Sequence, residues 1–156
     1  AITFTNFSIS GWSTYQGLAN IGKIAGEKPD LMILAFGMND ASGRMPAAKF
    51  AGNIRGLMAA TKQQQPQAEF ILVASMLGNR EWSYAAPELY PAYRDALAGL
   101  CGDGVALADL TTMWVELLKH KKFADLTGNN VNHPSDFGHR IYAQVVLGLL
   151  IEKFGK

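Results

Sequence analysis

Short apolar runs alternate along the chain with apolar stripes spaced three or four residues apart, the pattern of buried parallel strands joined by helices. Ile2 to Ser8, rich in β-branched and aromatic residues, predicts a strand that ends in the Gly/Ser cluster Ser8 to Ser13. Tyr15, Leu18, Ile21 and Ile24 then predict a helix capped by Ser13 or Thr14. Pro29-Asp30 introduces the apolar run Leu31 to Phe36, a second strand that stops at Gly37-Met38-Asn39-Asp40. Pro46 suits a first helical residue, with Phe50, Ile54, Leu57 and Met58 as the apolar face behind it. Phe70 to Ala74 predicts a third strand, and Ser75 to Pro91 a long irregular segment of the kind that often carries function. Ala92 to Leu100 reads as a short helix and Val105 to Leu110 as a fourth strand. Met113, Trp114, Leu117 and Leu118 make a further helical stripe, with Lys119 to Lys122 at the end where the helix dipole favours cations. A last helix is expected from Ser135 to Phe154.

Strand and helix alternating four times predict an α/β fold, a three-layer αβα sandwich around a parallel sheet. No repeat or linker interrupts residues 1–156, which read as a single domain. The hydrophobic fraction of 49% against 17% charged supplies enough apolar surface to offset chain entropy. A net charge of +1 leaves no basic footprint for nucleic acid. No apolar stretch reaches the roughly 18 residues that span a bilayer. The one cysteine, Cys101, forms no internal disulfide and suits a reducing compartment, whereas a leader ahead of Ala1 would imply a secreted or periplasmic protein.

In open α/β sheets, active groups gather beyond the carboxyl ends of the strands. Three polar clusters are expected there: Ser8 to Ser13, Gly37 to Asp40, and Asn130 to Asp136. Gly11 and Gly37 allow main-chain N–H groups to point into a crevice, and Asn39 adds an amide donor. Such fixed donors make an oxyanion hole. His133, held in extended backbone by Pro134, has the placement of a loop-borne general base. Each cluster taken singly also reads as an ordinary turn or helix cap. The spacing His133, Asp136, His139 invites a metal reading, but Asp136 is wanted as a helix-start residue, so no metal or other cofactor is expected.

Together the clusters resemble the SGNH, or GDSL-type, serine esterases and acyl hydrolases. Pro29 to Asp40 resembles that family's third block, a strand ending in Gly-x-Asn-Asp, and Asn6 to Thr14 its second, with Gly11. Asn132-His133-Pro134-Ser135-Asp136-Phe137-Gly138-His139-Arg140-Ile141-Tyr142-Ala143 resembles its fifth. The resemblance implies a flavodoxin-like sheet, Gly11 and Asn39 as oxyanion donors, and His133 as base. It implies a small ester substrate, an acetylated carbohydrate by family analogy, for which Trp12, Trp82 and Tyr84 offer stacking faces.

Two positions depart from the family pattern. Its first block, the Gly-Asp-Ser strand end with the nucleophile, has no counterpart here, and the position of its acid is Asn130. An amide carries no charge to stabilise an imidazolium, so a backbone carbonyl is expected to orient His133, with Asp125 as an acid at longer range. Three arrangements answer the missing strand: it lies outside this sequence, it is replaced by strand exchange in a homodimer, or Ile2 to Ser8 closes against Leu31 to Phe36 in a smaller four-stranded sheet. In the last, Ser10 or Ser13 stands in as nucleophile. The competing expectation is a catalytically inactive SGNH-derived module that binds carbohydrate or protein.

Overall fold

A computed structural model describes residues 1–154. Its helices are α1 (Thr14–Ala19), α2 (Ile21–Ala25), α3 (Met38–Ser42), α4 (Ala47–Gln64), α5 (Leu89–Ala98), α6 (Leu110–Leu117), α7 (Phe123–Leu126) and α8 (Asp136–Phe154). Three strands, β1 (Leu31–Phe36), β2 (Glu69–Ala74) and β3 (Val105–Asp109), form a parallel sheet in the order β1-β2-β3. Register places Met32 beside Phe70, Leu34 beside Leu72, and Val73 beside Ala108.

The period-two alternation of the strands divides the core into two layers. Met32, Leu34, Phe70 and Leu72 face Phe50, Ile54 and Leu57 of α4 and Tyr90, Tyr93 and Leu97 of α5. Phe50 and Tyr93 stack at 4.2 Å between ring centroids, locking α4 to α5. On the other face, Ile71, Val73 and Ala108 meet Leu110 and Trp114 of α6 and Ile141 of α8. Helices on both faces of a parallel sheet make the expected αβα sandwich.

Several boundaries differ from the sequence expectation. Ile2 to Ser8 is not a strand: it pairs with nothing in the sheet, Ile2 is 98% exposed, and the four-stranded closure against Leu31 to Phe36 does not form. Strand propensity reflects packing on a partner ladder, and this segment has none. β1 accordingly pairs with β2 alone among the described residues, and Leu31 and Ile33 on one of its faces stay exposed. The first predicted helix is two short ones, broken at Asn20, whose side-chain amide donates to the Gln16 carbonyl. Tyr15 points outward, and Ser13, not Thr14, is the cap. α5 starts at Leu89, earlier than expected, because Pro91 is tolerated in a first turn where its missing N–H has no partner to lose. The short α7 went unpredicted; Asp125 caps it by accepting the Lys122 N–H at 2.9 Å.

Gly138 shows how tightly α8 sits on α7. A Cβ there would meet the Leu126 carbonyl oxygen at 2.6 Å and the Trp114 ring at 3.1 Å. Gly138→Ala is therefore expected to destabilise the protein by about 1–3 kcal/mol, although alanine is the better helix former. Gly148→Ala on the same helix meets nothing within 4 Å and is expected to raise stability by about 0.4–1 kcal/mol. Urea unfolding of the pair checks both signs.

Candidate functional site

The second polar cluster follows the carboxyl end of β1, the first is tied to it through Trp12, and the third is tied to the segment after β2 through Asn79. Gly37 follows β1 directly, with φ of +122°, a conformation open to glycine, and it caps α3. Gly11 has φ of +78° in the exposed turn that leads to α1. At both positions a residue with a Cβ would be strained.

The first two clusters are brought together by one side chain. Asn39 of α3 donates from Nδ2 to the Trp12 carbonyl at 2.9 Å. An amide nitrogen carries two hydrogens, so this bond leaves a second N–H of the half-buried Asn39 beside the Gly11 turn. The neighbouring residue makes a second tie. Asp40, 1% exposed, accepts from the Thr14 N–H at 2.9 Å, from the Thr14 hydroxyl at 2.5 Å, and from the Gly37 N–H at 3.2 Å. Asn53 of α4 in turn donates to Thr14 Oγ1 at 3.0 Å. From the sequence Asp40 reads as a turn residue and Thr14 as a candidate helix cap, and nothing marks Asn53 as their partner. The only local signal was an acidic residue directly after the amide donor.

Of the serines near Gly11, Ser13 is committed: its hydroxyl donates to Gln16 Oε1 at 2.6 Å and accepts the Tyr15 N–H in a capping box. Ser10 is exposed and its hydroxyl makes no hydrogen bond among the described residues.

The third cluster is shaped by a residue that sequence reasoning passed over. Asn129 Oδ1 accepts the N–H groups of Val131, Asn132 and His133 at 3.0–3.1 Å, winding the loop around one amide. Asn79, from the segment after β2, fixes this loop to the sheet: its Nδ2 donates to the Asn130 carbonyl, and its N–H to the Val131 carbonyl, both at 2.8 Å. The His133 carbonyl accepts the Gly128 N–H at 2.9 Å. His133 is thus anchored by its backbone and exposed by its side chain; its imidazole and the Asn130 side chain make no hydrogen bond among the described residues. Asn130 adopts φ of +53°, which asparagine tolerates better than most residues. Asp136 pairs with Arg140 at 3.0 Å one helical turn on. Among the described residues no three His, Cys, Asp or Glu side chains are grouped to hold a metal ion.

Two tyrosines brace the rim in neutral form. Burial, with Asp40 and Tyr90 nearby, raises the Tyr93 phenol well above its ordinary value, and its hydroxyl donates to the Met45 carbonyl at 2.6 Å. Burial pushes Tyr142 up to about 12, against the lowering effect of the Met76 N–H that donates to its oxygen. Both remain uncharged at neutral pH, and Tyr142 ties α8 to the end of β2. Trp82 and Tyr84 form a tilted pair at 5.7 Å on the segment after β2, with Tyr84 exposed. No helix among the described residues is long and apolar enough to cross a membrane.

No curated protein sequence matches the chain. Among solved structures, an acetylxylan esterase from Geobacillus stearothermophilus superposes with a TM-score of 0.77 at 22% identity, over 92% of this chain and 69% of the other. A carbohydrate esterase of family 3 from Talaromyces cellulolyticus does so with a TM-score of 0.72 at 20% identity, over 92% and 68%. At these identities the likeness speaks for the fold. The family model for GDSL-like lipases and acylhydrolases matches residues 1–141, a span that holds all three polar clusters. That match covers most of the sequence: the chain belongs to the GDSL-like lipase/acylhydrolase family.

Proposed function

We propose that the chain is a carboxylic ester hydrolase that removes a small acyl group by transfer to a serine and then to water. His133 is the base, Gly11 and Asn39 are the oxyanion donors, and Ser10 is the nucleophile among the residues of this chain. The observation that carries the reading is the bond from Asn39 to the Trp12 carbonyl, which sets an amide donor beside the Gly11 turn. The sheet closure that would set Ser10 or Ser13 at a strand end does not form, so Ser10 is proposed on other grounds: its hydroxyl is uncommitted, and it directly precedes the Gly11 N–H, a workable geometry for a nucleophile.

In the first step the Ser10 hydroxyl oxygen bonds to the ester carbonyl carbon and passes its proton to His133. The carbonyl oxygen takes the displaced electron pair and is stabilised by the Gly11 N–H and the free Asn39 N–H. Collapse breaks the bond to the alcohol, which leaves with the proton from His133. Water then attacks the acyl-serine by the same route and releases the acid. With an amide at Asn130, no carboxylate stabilises the imidazolium from that position, so the machinery is a serine–histidine dyad assisted by the oxyanion donors.

An acetylated carbohydrate is the substrate class we favour. Two structural neighbours are described as an acetylxylan esterase and a carbohydrate esterase, and the exposed Tyr84 ring beside Trp82 offers a stacking face for a sugar. Release of acetate from an acetylated xylo-oligosaccharide, and hydrolysis of 4-nitrophenyl acetate, test the reading. The chain is expected to cleave both. If it cleaves neither yet binds the oligosaccharide, the sugar-binding module is the correct reading. The unpaired imidazole of His133 is the observation that favours this second possibility.

A further inference from the structure

We infer that Asp40 is a positioning residue for the oxyanion donors, acting through Thr14. The inference rests on the reading of Gly11 and Asn39 as those donors. Asn39 and Asp40 are consecutive on α3, and they grip alternate residues, Trp12 and Thr14, of the segment that carries Gly11. Two ties from one rigid turn to one loop fix the loop's distance and its rotation, which a single hydrogen bond cannot do.

The chemistry of the second tie is specific to a carboxylate. Asp40 receives donors on both oxygens, Thr14 N–H and hydroxyl on Oδ1 and Gly37 N–H on Oδ2. An asparagine would turn an NH₂ toward one of these donors and lose that bond. Burying a carboxylate is unfavourable unless its acceptors are filled, and no ion pair includes Asp40 among the described residues. Backbone and hydroxyl donors alone compensate it. Thr14, 0% exposed, is then held from behind by Asn53 on the long helix α4. The chain of contacts therefore runs from a rigid helix through Thr14 to Asp40, and Gly37 and Asn39 precede Asp40 within the same turn of chain. A fixed oxyanion site needs such support, because misplacing a donor by about 1 Å can lower rate by on the order of 10²-fold.

Thr14→Val removes the hydroxyl at constant shape and keeps the backbone N–H. It is expected to lower kcat for 4-nitrophenyl acetate by about 10- to 100-fold with little change in KM. It is also expected to shift the NMR resonances of the Gly11 amide and the Asn39 side-chain NH₂, with the Trp114 indole unmoved. Thr14→Ser, which restores the hydroxyl, is expected to return kcat and both resonances to near the parent values. If Thr14→Val fails to fold, Asn53→Ala, which removes only the outer support, is expected to shift the same two resonances by less. A lowered Tm with the Gly11 and Asn39 resonances and kcat at parent values would overturn the inference and leave Asp40 a purely structural residue. If the parent cleaves no ester, the oxyanion reading falls separately, and the resonances alone decide whether Asp40 sets the geometry.

Discussion

His133→Ala is expected to lower kcat/KM for 4-nitrophenyl acetate by about 10²- to 10⁴-fold, the range general-base catalysis supplies. The loss should fall on kcat, because the imidazole moves a proton in the transition state and holds no part of the ground-state ester. Folding should be nearly unaffected. The side chain is exposed, and the hydrogen bonds that shape its loop come from the backbone of residues 131–133 to Asn129 and from Asn79 to residues 130 and 131. An unchanged urea midpoint beside a collapsed rate would separate chemistry from structure. Rates equal to the parent would remove His133 from the mechanism.

Asn39→Ala is expected to lower kcat by about 10²- to 10³-fold, the loss typical of one oxyanion donor. Two effects combine in this residue. On the proposed mechanism one N–H serves the developing negative charge, while the other holds the Trp12 carbonyl and so the Gly11 turn. The second effect predicts a companion loss of about 0.5–1.5 kcal/mol in stability, the net worth of one hydrogen bond. Asn39→Asp separates steric from electrostatic support. It keeps the shape of the side chain but sets oxygen against the Trp12 carbonyl and against the oxyanion. It should therefore be no more active than the alanine variant. Near-parent activity in Asn39→Asp would mean that the amide is not an oxyanion donor.

What the sequence made legible was whatever local chemistry decides. β1 runs from Leu31 to Phe36 as its apolar run indicates, because Pro29-Asp30 and Gly37 punctuate both ends. Gly37 and Asn39 stood out because a glycine after a buried strand marks a turn of positive φ. Ile2 to Ser8 misled because β-branched and aromatic composition reports suitability for a sheet and not the presence of a neighbouring strand. The Asp40–Thr14–Asn53 chain was illegible for a different reason: its partners are 26 and 39 residues apart, and nothing local marks them as neighbours. Asn129 was hidden by its likeness to Asn130. The loop is wound by the first of the two amides, whereas the position three residues before His133 is the second.

The central claim is acyl transfer through a serine beside the Gly11–Asn39 clamp, and a serine-directed fluorophosphonate tests it most directly. Incubated with the intact chain, the reagent is expected to leave one adduct, mapped by peptide mass spectrometry to Ser10, and to form it far more slowly on His133→Ala. No adduct, or an adduct that forms equally fast without His133, would contradict the account.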